Sequence, residues 1–245
     1  DTIAALCGLI LLGPLMALIA MLIWLGDRRS PIYAAPRVGF NDKDFSMLKF
    51  STMVRGADQK GGSSTSATDS RITPIGRLLR PLKLDEIPQL INVVRGEMSL
   101  VGPRPNIRWA VKTYTSEELQ LLSVRPGITD LASIVFSDEG DILKFESDPD
   151  LAYERIIRPH KSELGILYAG SATLGVDLRI IWLTVLGLFS RRSALVGVAR
   201  LAQGLGARPA LVNVCERSEV LVPAPPPGWA RPIRSVGESP CSDRA

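Results

Sequence analysis

Twenty-three consecutive residues, Ile3 to Leu25, carry no charge, and Asp27-Arg28-Arg29 ends the run. As a straight helix the run would reach about 34 Å at ~1.5 Å per residue, enough to cross a bilayer. It is too long for a cleaved leader, and charges rather than a small-residue cleavage site follow it. Arg28 and Arg29 favour the cytoplasm for that end. Gly13-Pro14 lies near the middle, where proline removes an amide donor and its ring meets the carbonyl of Ile10, so the helix is expected to bend. On the residues alone this is either a kinked span or a re-entrant hairpin that enters and leaves by one face.

The pattern then changes. Residues 27 to about 55 alternate apolar and polar side chains around Phe45, Met47 and Leu48-Lys49-Phe50, which predicts short extended pieces. Arg55 to Ser70 contains Gly61-Gly62-Ser63-Ser64-Thr65-Ser66, which reads first as a plain linker loop, with a lid near a site as the alternative. Thr73-Pro74 is a helix start, with Ile75, Leu78, Leu79 and Leu82 at helical spacing and Arg77 and Arg80 on the other face. A second helix is predicted from near Asp85 to Arg95, with Leu90, Ile91 and Val94 inward, Pro88 in its first turn and Gly96 as its stop. Glu117 to Leu122 predicts another helix, and Arg125-Pro126-Gly127 a turn. Leu178 to Phe189 is apolar but too short to span, so it packs on the core or lies in a membrane interface. Residues 193 to 245 hold seven of the 18 prolines and no sustained periodicity beyond about Leu205, which predicts a disordered tail.

These patterns describe an α+β, mostly helical chain: a membrane-inserted helix over 1–26, a compact domain of amphipathic helices and short strands over 27–192, and a Pro- and Arg-containing tail over 193–245. Composition changes this picture little. The 46% apolar and 22% charged content fits a folded protein, and the mean hydropathy is slightly positive. A net charge of +4 with 6% aromatics gives no basic stripe with stacking rings, so nucleic acid is not an expected partner. The same charge suits a domain facing anionic lipid. Cys7, Cys215 and Cys241 lack metal-ligand spacing and suggest a reducing compartment. His160 is the single histidine, so a triad or multi-histidine metal site would have to be built around it.

The chemistry concentrates between Lys83 and Pro105. Adjacent carboxylates Asp85 and Glu86 point about 100° apart on a helix, poorly placed as a symmetric acid/base pair and better placed for two different tasks. One can attack while the other holds a cation. A helix entrance and nearby arginines would keep Asp85 ionised, as a carboxylate nucleophile requires, and would attract a diphosphate. Pro103-Arg104-Pro105 fixes a guanidinium on stiff backbone, suited to bidentate phosphate pairing. Phosphate and carboxylate oxygens together are the surroundings Mg²⁺ prefers. Taken alone, Asp85 reads as a helix cap and Glu86 as solvated surface, and Arg80 and Arg104 are open to salt-bridge roles.

The run Lys83-Leu84-Asp85-Glu86-Ile87-Pro88-Gln89-Leu90 through Val101-Gly102-Pro103-Arg104-Pro105 resembles the bacterial sugar transferases, which are monotopic polyprenyl-phosphate phosphoglycosyl transferases. Pro31 to Phe50, Arg71-Ile72-Thr73-Pro74-Ile75-Gly76-Arg77-Leu78-Leu79-Arg80 and Val124-Arg125-Pro126-Gly127-Ile128-Thr129 carry the likeness further, over roughly residues 1 to 136. The resemblance implies Asp85 as nucleophile, Glu86 as its Mg²⁺ partner, and Lys49, Arg80, Arg104 and Arg125 as phosphate-binding cations. It also implies a re-entrant segment broken at Gly13-Pro14, with glycine where the family places serine. The implied reaction moves a sugar 1-phosphate from a UDP-sugar to polyprenyl phosphate and releases UMP, at the cytoplasmic face of the bacterial inner membrane. Membrane lipid is then a further partner. Beyond Thr129 the chain departs from the family pattern, and its arginine falls at about Ser137. Competing expectations are a catalytically silent scaffold for glycan assembly and another Mg²⁺-dependent phosphotransferase.

Overall fold

The computed structural model describes residues 1–57, 69–144 and 146–238; the loop expected at Gly61 to Ser66 lies outside the described residues. The apolar run forms helix α1, Thr2–Asp27. It continues past Gly13-Pro14 without interruption, so the expected break is not present in the helix. Proline withdraws one donor, and neighbouring turns can keep their own bonds around it. Among the described residues α1 is the one helix long and apolar enough to cross a membrane. Both its ends are nevertheless seated on the same body. Ala5 is buried with Met47, Val93 and Met98, while Ile19 and Ile23 are buried with Phe50 and Leu79. Between them Ile10 and Leu11 are about four-fifths exposed, at 79% and 80%.

The alternating segment after α1 becomes a hairpin of β1, Ile32–Val38, and β2, Asp44–Phe50, paired antiparallel with Tyr33 opposite Lys49. Helix α2, Pro74–Leu79, starts as predicted, with the Thr73 hydroxyl accepting from the Gly76 amide. Gly76 is required by contact: a Cβ there would lie 2.3 Å from the Thr52 carbonyl oxygen. The helix expected from Asp85 to Arg95 is instead two pieces, a 3-10 turn at Leu84–Glu86 and helix α3, Gln89–Val94. Its fully buried residues are Gln89, Asn92 and Val93, while the expected Leu90 and Val94 are partly buried against the cluster of Ala5, Met47 and Met98. The polar members are inward because Asn92 bridges elements: its side chain accepts from the Leu48 amide and donates to the Ser46 carbonyl and to Glu97. Gly96, at φ +75°, ends α3 as expected, with Glu97 and Gly96 amides closing on the carbonyls of Asn92 and Val93.

Strands β3, Ser99–Val101, and β4, Gly127–Thr129, pair in parallel and bring residues near 100 beside residues near 128. Short helices α4 (Arg108–Val111), α5 (Leu131–Val135), α6 (Glu139–Ile142) and α7 (Pro149–Ala152) follow, with the expected turn of helix at Glu118–Ser123. A π-helical turn, Tyr153–Ile157, leads into α8, Arg158–Ala169. Helix α9 spans Leu174–Phe189, buries Val176, Ile180 and Leu183, and leaves Leu178, Trp182 and Leu188 exposed.

The expected tail needs correction. Residues 191–216 form α10, Arg191–Gly204, and α11, Pro209–Glu216. Their Leu195, Val198, Ala202, Leu211 and Cys215 belong to the largest hydrophobic core, with Leu131, Val135, Leu164 and Ile180. The following segment is also tied down, with Ile233 fully buried. Only residues 239–245 of the expected tail fall outside the described residues. The mostly helical α+β class stands.

Candidate active site

Four elements converge on the acidic pair. Lys83 adopts the left-handed region at φ 53°, which turns the chain so that Asp85 and Glu86 sit in a tight 3-10 turn at the end of strand β2 and helix α2. The two carboxylates meet different surroundings. Glu86 is clamped: Arg104 donates through Nη1 to Oε2 at 2.8 Å and through Nη2 to Oε1 at 2.6 Å, and Lys49 Nζ donates to Oε1 at 3.1 Å. Asp85 is buried, and among the described residues no cation donates to it.

The electrostatics follow. Burial alone would raise the Glu86 carboxyl, but Arg104 and Lys49 outweigh it and hold the group far below the ordinary carboxylate range. Asp85 goes the other way. Burial, then the charge of Glu86, raises it, while Lys49 and Arg80 pull it down. The cations expected to lower it therefore do not set its net direction. Burial also lowers Lys49 and Arg80 from their ordinary values.

Arg80 caps α2 and donates through Nε to the Thr52 hydroxyl at 3.1 Å. Arg104 follows β3, and its third hydrogen bond, to the Ile128 carbonyl at 2.8 Å, depends on the parallel pairing with β4. A cavity of about 430 Å³ opens over Asp85. Lys49 and Arg80 line it with Arg29, Arg37 and Arg55, three cations that sequence reasoning did not assign to a site. Arg29 carried a signal in the sequence as part of the charged stop to α1. Arg37 sits on the strand whose partner carries Lys49, a relation visible only once the hairpin register is known. Arg125 is not brought to this group: it is exposed and donates to the Gly96 carbonyl at 3.1 Å.

Two carboxylates beside six cations suit a ligand rich in phosphate. The donor set also fits a magnesium ion. Oε2 of Glu86 accepts one hydrogen bond, leaving a lone pair for a hard cation, and Mg²⁺ needs only one or two protein carboxylates when phosphates and water complete its shell.

The bacterial sugar transferase family model matches residues 1–191 of the 245. The undecaprenyl-phosphate glucose phosphotransferase of Komagataeibacter xylinus is 36% identical over 79% of this chain, which covers 36% of that protein. The UDP-N-acetylgalactosamine-undecaprenyl-phosphate N-acetylgalactosaminephosphotransferase of Aeromonas hydrophila is 34% identical over 62% of this chain, which covers 37% of that protein. The exopolysaccharide production protein PSS of Rhizobium leguminosarum bv. phaseoli is 34% identical over 78% of this chain and 94% of its own. The chain thus spans just over a third of two of these relatives and nearly all of the third, with the acidic pair, Lys49 and Arg104 inside the family match, and it belongs to the bacterial sugar transferase family.

Proposed function

We propose that this protein transfers a sugar 1-phosphate from a UDP-sugar to a polyprenyl phosphate such as undecaprenyl phosphate, releasing UMP and initiating a cell-surface glycan. The observation that carries this reading is the contrast between a buried Asp85, to which no cation among the described residues is bonded, and a Glu86 held by Arg104 and Lys49. In the first step a carboxylate oxygen of Asp85 attacks the sugar-bearing phosphorus. The bond to the bridging oxygen breaks, and its electron pair leaves with UMP. Lys49, Arg80 and the other cavity cations offset the charge gathering on the phosphates, and desolvation in the cavity strengthens that effect. In the second step an oxygen of polyprenyl phosphate attacks the same phosphorus, and the Asp85 carboxylate is released unchanged. Bound Mg²⁺, with Glu86 as its protein ligand, would supply additional charge stabilisation to the phosphates.

The lipid acceptor calls for a bilayer. Helix α1, with its exposed Ile10 and Leu11, and the outward face of α9, with Trp182 and Leu188, support seating in the cytoplasmic face of the bacterial inner membrane. The relatives named above act on glucose and on N-acetylgalactosamine by their names, so their likeness does not choose the sugar.

The test is mass spectrometry of the intact protein after exposure to UDP-sugar alone. A phosphosugar adduct on Asp85 is the expected result, and it identifies the sugar. Asp85→Asn should remove the adduct and reduce turnover by at least about 10⁴-fold, with membrane attachment unchanged. Full activity in that variant would sink the assignment.

A further inference from the structure

A second cavity, of about 320 Å³, shares Lys49 and Arg37 with the one over Asp85, and Arg104 lies in its wall. The two spaces therefore meet at the Lys49-Glu86-Arg104 cluster. Their chemistry differs. The first sets five cations against the carboxylate of Asp85. The second includes the carboxylates of Glu139, Asp150 and Glu154, and four of its five cations are paired with acids: Lys49 and Arg104 with Glu86, Arg158 with Glu118 and Glu154, Lys161 with Glu139. It also presents the half-exposed indole of Trp109. Carboxylates beside an aromatic face suit a neutral polyhydroxyl ring, whose hydroxyls donate to the acids and whose C–H face lies on the indole. A diphosphate is better served by the first cavity.

The walls of this second space point the same way. One is the π-helical turn, which supplies Tyr153 and Glu154; such turns are rare and frequent at functional sites. Another is Val236, from a segment beyond the residues matched by the family model. That segment is fastened to the π turn. The Ala224 amide donates to the Arg155 carbonyl at 3.0 Å, and Arg155 Nε donates to the Ile233 carbonyl at 2.6 Å. The Thr115 hydroxyl donates to the Pro227 carbonyl at 2.5 Å.

We propose that this second cavity is the sugar compartment of the donor site, and that Trp109 and Val236 discriminate among sugars, the latter on a C-terminal strap that closes the compartment. This rests on the reaction proposed above, in which the phosphorus attacked by Asp85 carries the sugar on one bond and UMP on another. The sugar then needs a space apart from the leaving nucleotide.

The test uses the full chain in membranes, with UDP-glucose, UDP-galactose and their N-acetylated counterparts as donors and UMP as inhibitor. Trp109→Ala and the space-filling Val236→Trp should change the ratio of kcat/KM between hexose and N-acetylhexosamine donors by about 10- to 100-fold, the range one pocket contact commands. Inhibition by UMP should stay as in the wild type. An equal loss for every donor, a parallel loss of UMP inhibition, or no change at all would overturn the assignment; the second outcome would make the cavity the nucleoside site. If the wild-type protein turns over none of these donors with undecaprenyl phosphate, the proposed reaction fails, and calorimetry decides the compartment separately. UDP-hexose must then bind more tightly than UDP, and Val236→Trp must erase the difference; equal binding in the wild type overturns the compartment.

Discussion

A carboxylate can attack phosphorus only when ionised, so under the proposed mechanism the neighbours that set the proton affinity of Asp85 also set the acid limit of the first step. Burial raises that affinity and the Glu86 charge adds to it, while Lys49 and Arg80 act against both. Arg80→Gln removes a charge that favours the ionised form, so the Asp85 pKa rises further and the acid limb of adduct formation moves to higher pH. Glu86→Gln removes the adjacent negative charge and leaves Arg104 and Lys49 uncompensated, so the same limb moves to lower pH. Single-turnover adduct formation across pH measures both. Opposite displacements are expected, and displacement in the same direction would refute the electrostatic account. The acidic pair and Arg104 were singled out in the sequence chiefly through the family resemblance of the Lys83 to Pro105 run, and the structure brings Arg104 onto Glu86. The division of labour was not legible there, since the clamp on Glu86 joins residues 49, 86 and 104 through folding.

At the scale of elements, local chemistry was readable where it was sufficient. Thr73-Pro74 announced α2 because a cap and a first-turn proline act within four residues. The 85–95 helix was misread because periodicity does not reveal the left-handed Lys83 or the buried bridging role of Asn92. Position 76 shows how an element fixes the site. Helix α2 lies so close to Thr52 that a Cβ on Gly76 would overlap the carbonyl by contact at 2.3 Å, and the Thr52 hydroxyl holds Arg80. Gly76→Ala should therefore force α2 outward and cost about 1–3 kcal/mol, as overpacking does. Thermal unfolding measures the loss, and reduced turnover in the folded fraction would report the displaced Arg80. Wild-type stability in this variant would show that α2 can shift freely and is not a fixed support.

At the scale of the whole molecule, the C-terminal region was read as disordered because prolines and fading periodicity outweighed two helices that pack on the preceding α9 and on α5 and α8 further back in the chain. The shared core makes α10 and α11 part of the folded body. Leu211, 2% exposed in α11, tests this directly: Leu211→Ala should cost about 2–5 kcal/mol, whereas a change in a disordered tail would cost nothing. The N-terminal helix poses the complementary question of where the body sits against lipid. A spanning helix would carry residue 1 some 30 Å from the catalytic body, beyond the hydrocarbon core. Here the Asp1 carboxylate accepts from the Ser99 hydroxyl at 2.7 Å, and Ala5 is buried against the same body that buries Ile19 and Ile23. Gly8 lets α1 approach Leu90, where an added Cβ would lie 3.2 Å away. These contacts hold both ends of α1 on the body that carries Asp85, so residue 1 is expected to lie on the same side of a membrane as Asp85. In a background without the native cysteines, Asp1→Cys should react with an impermeant thiol reagent in inverted membrane vesicles and be protected in intact spheroplasts. Labelling in spheroplasts would place residue 1 across the membrane from Asp85 and refute the shared face.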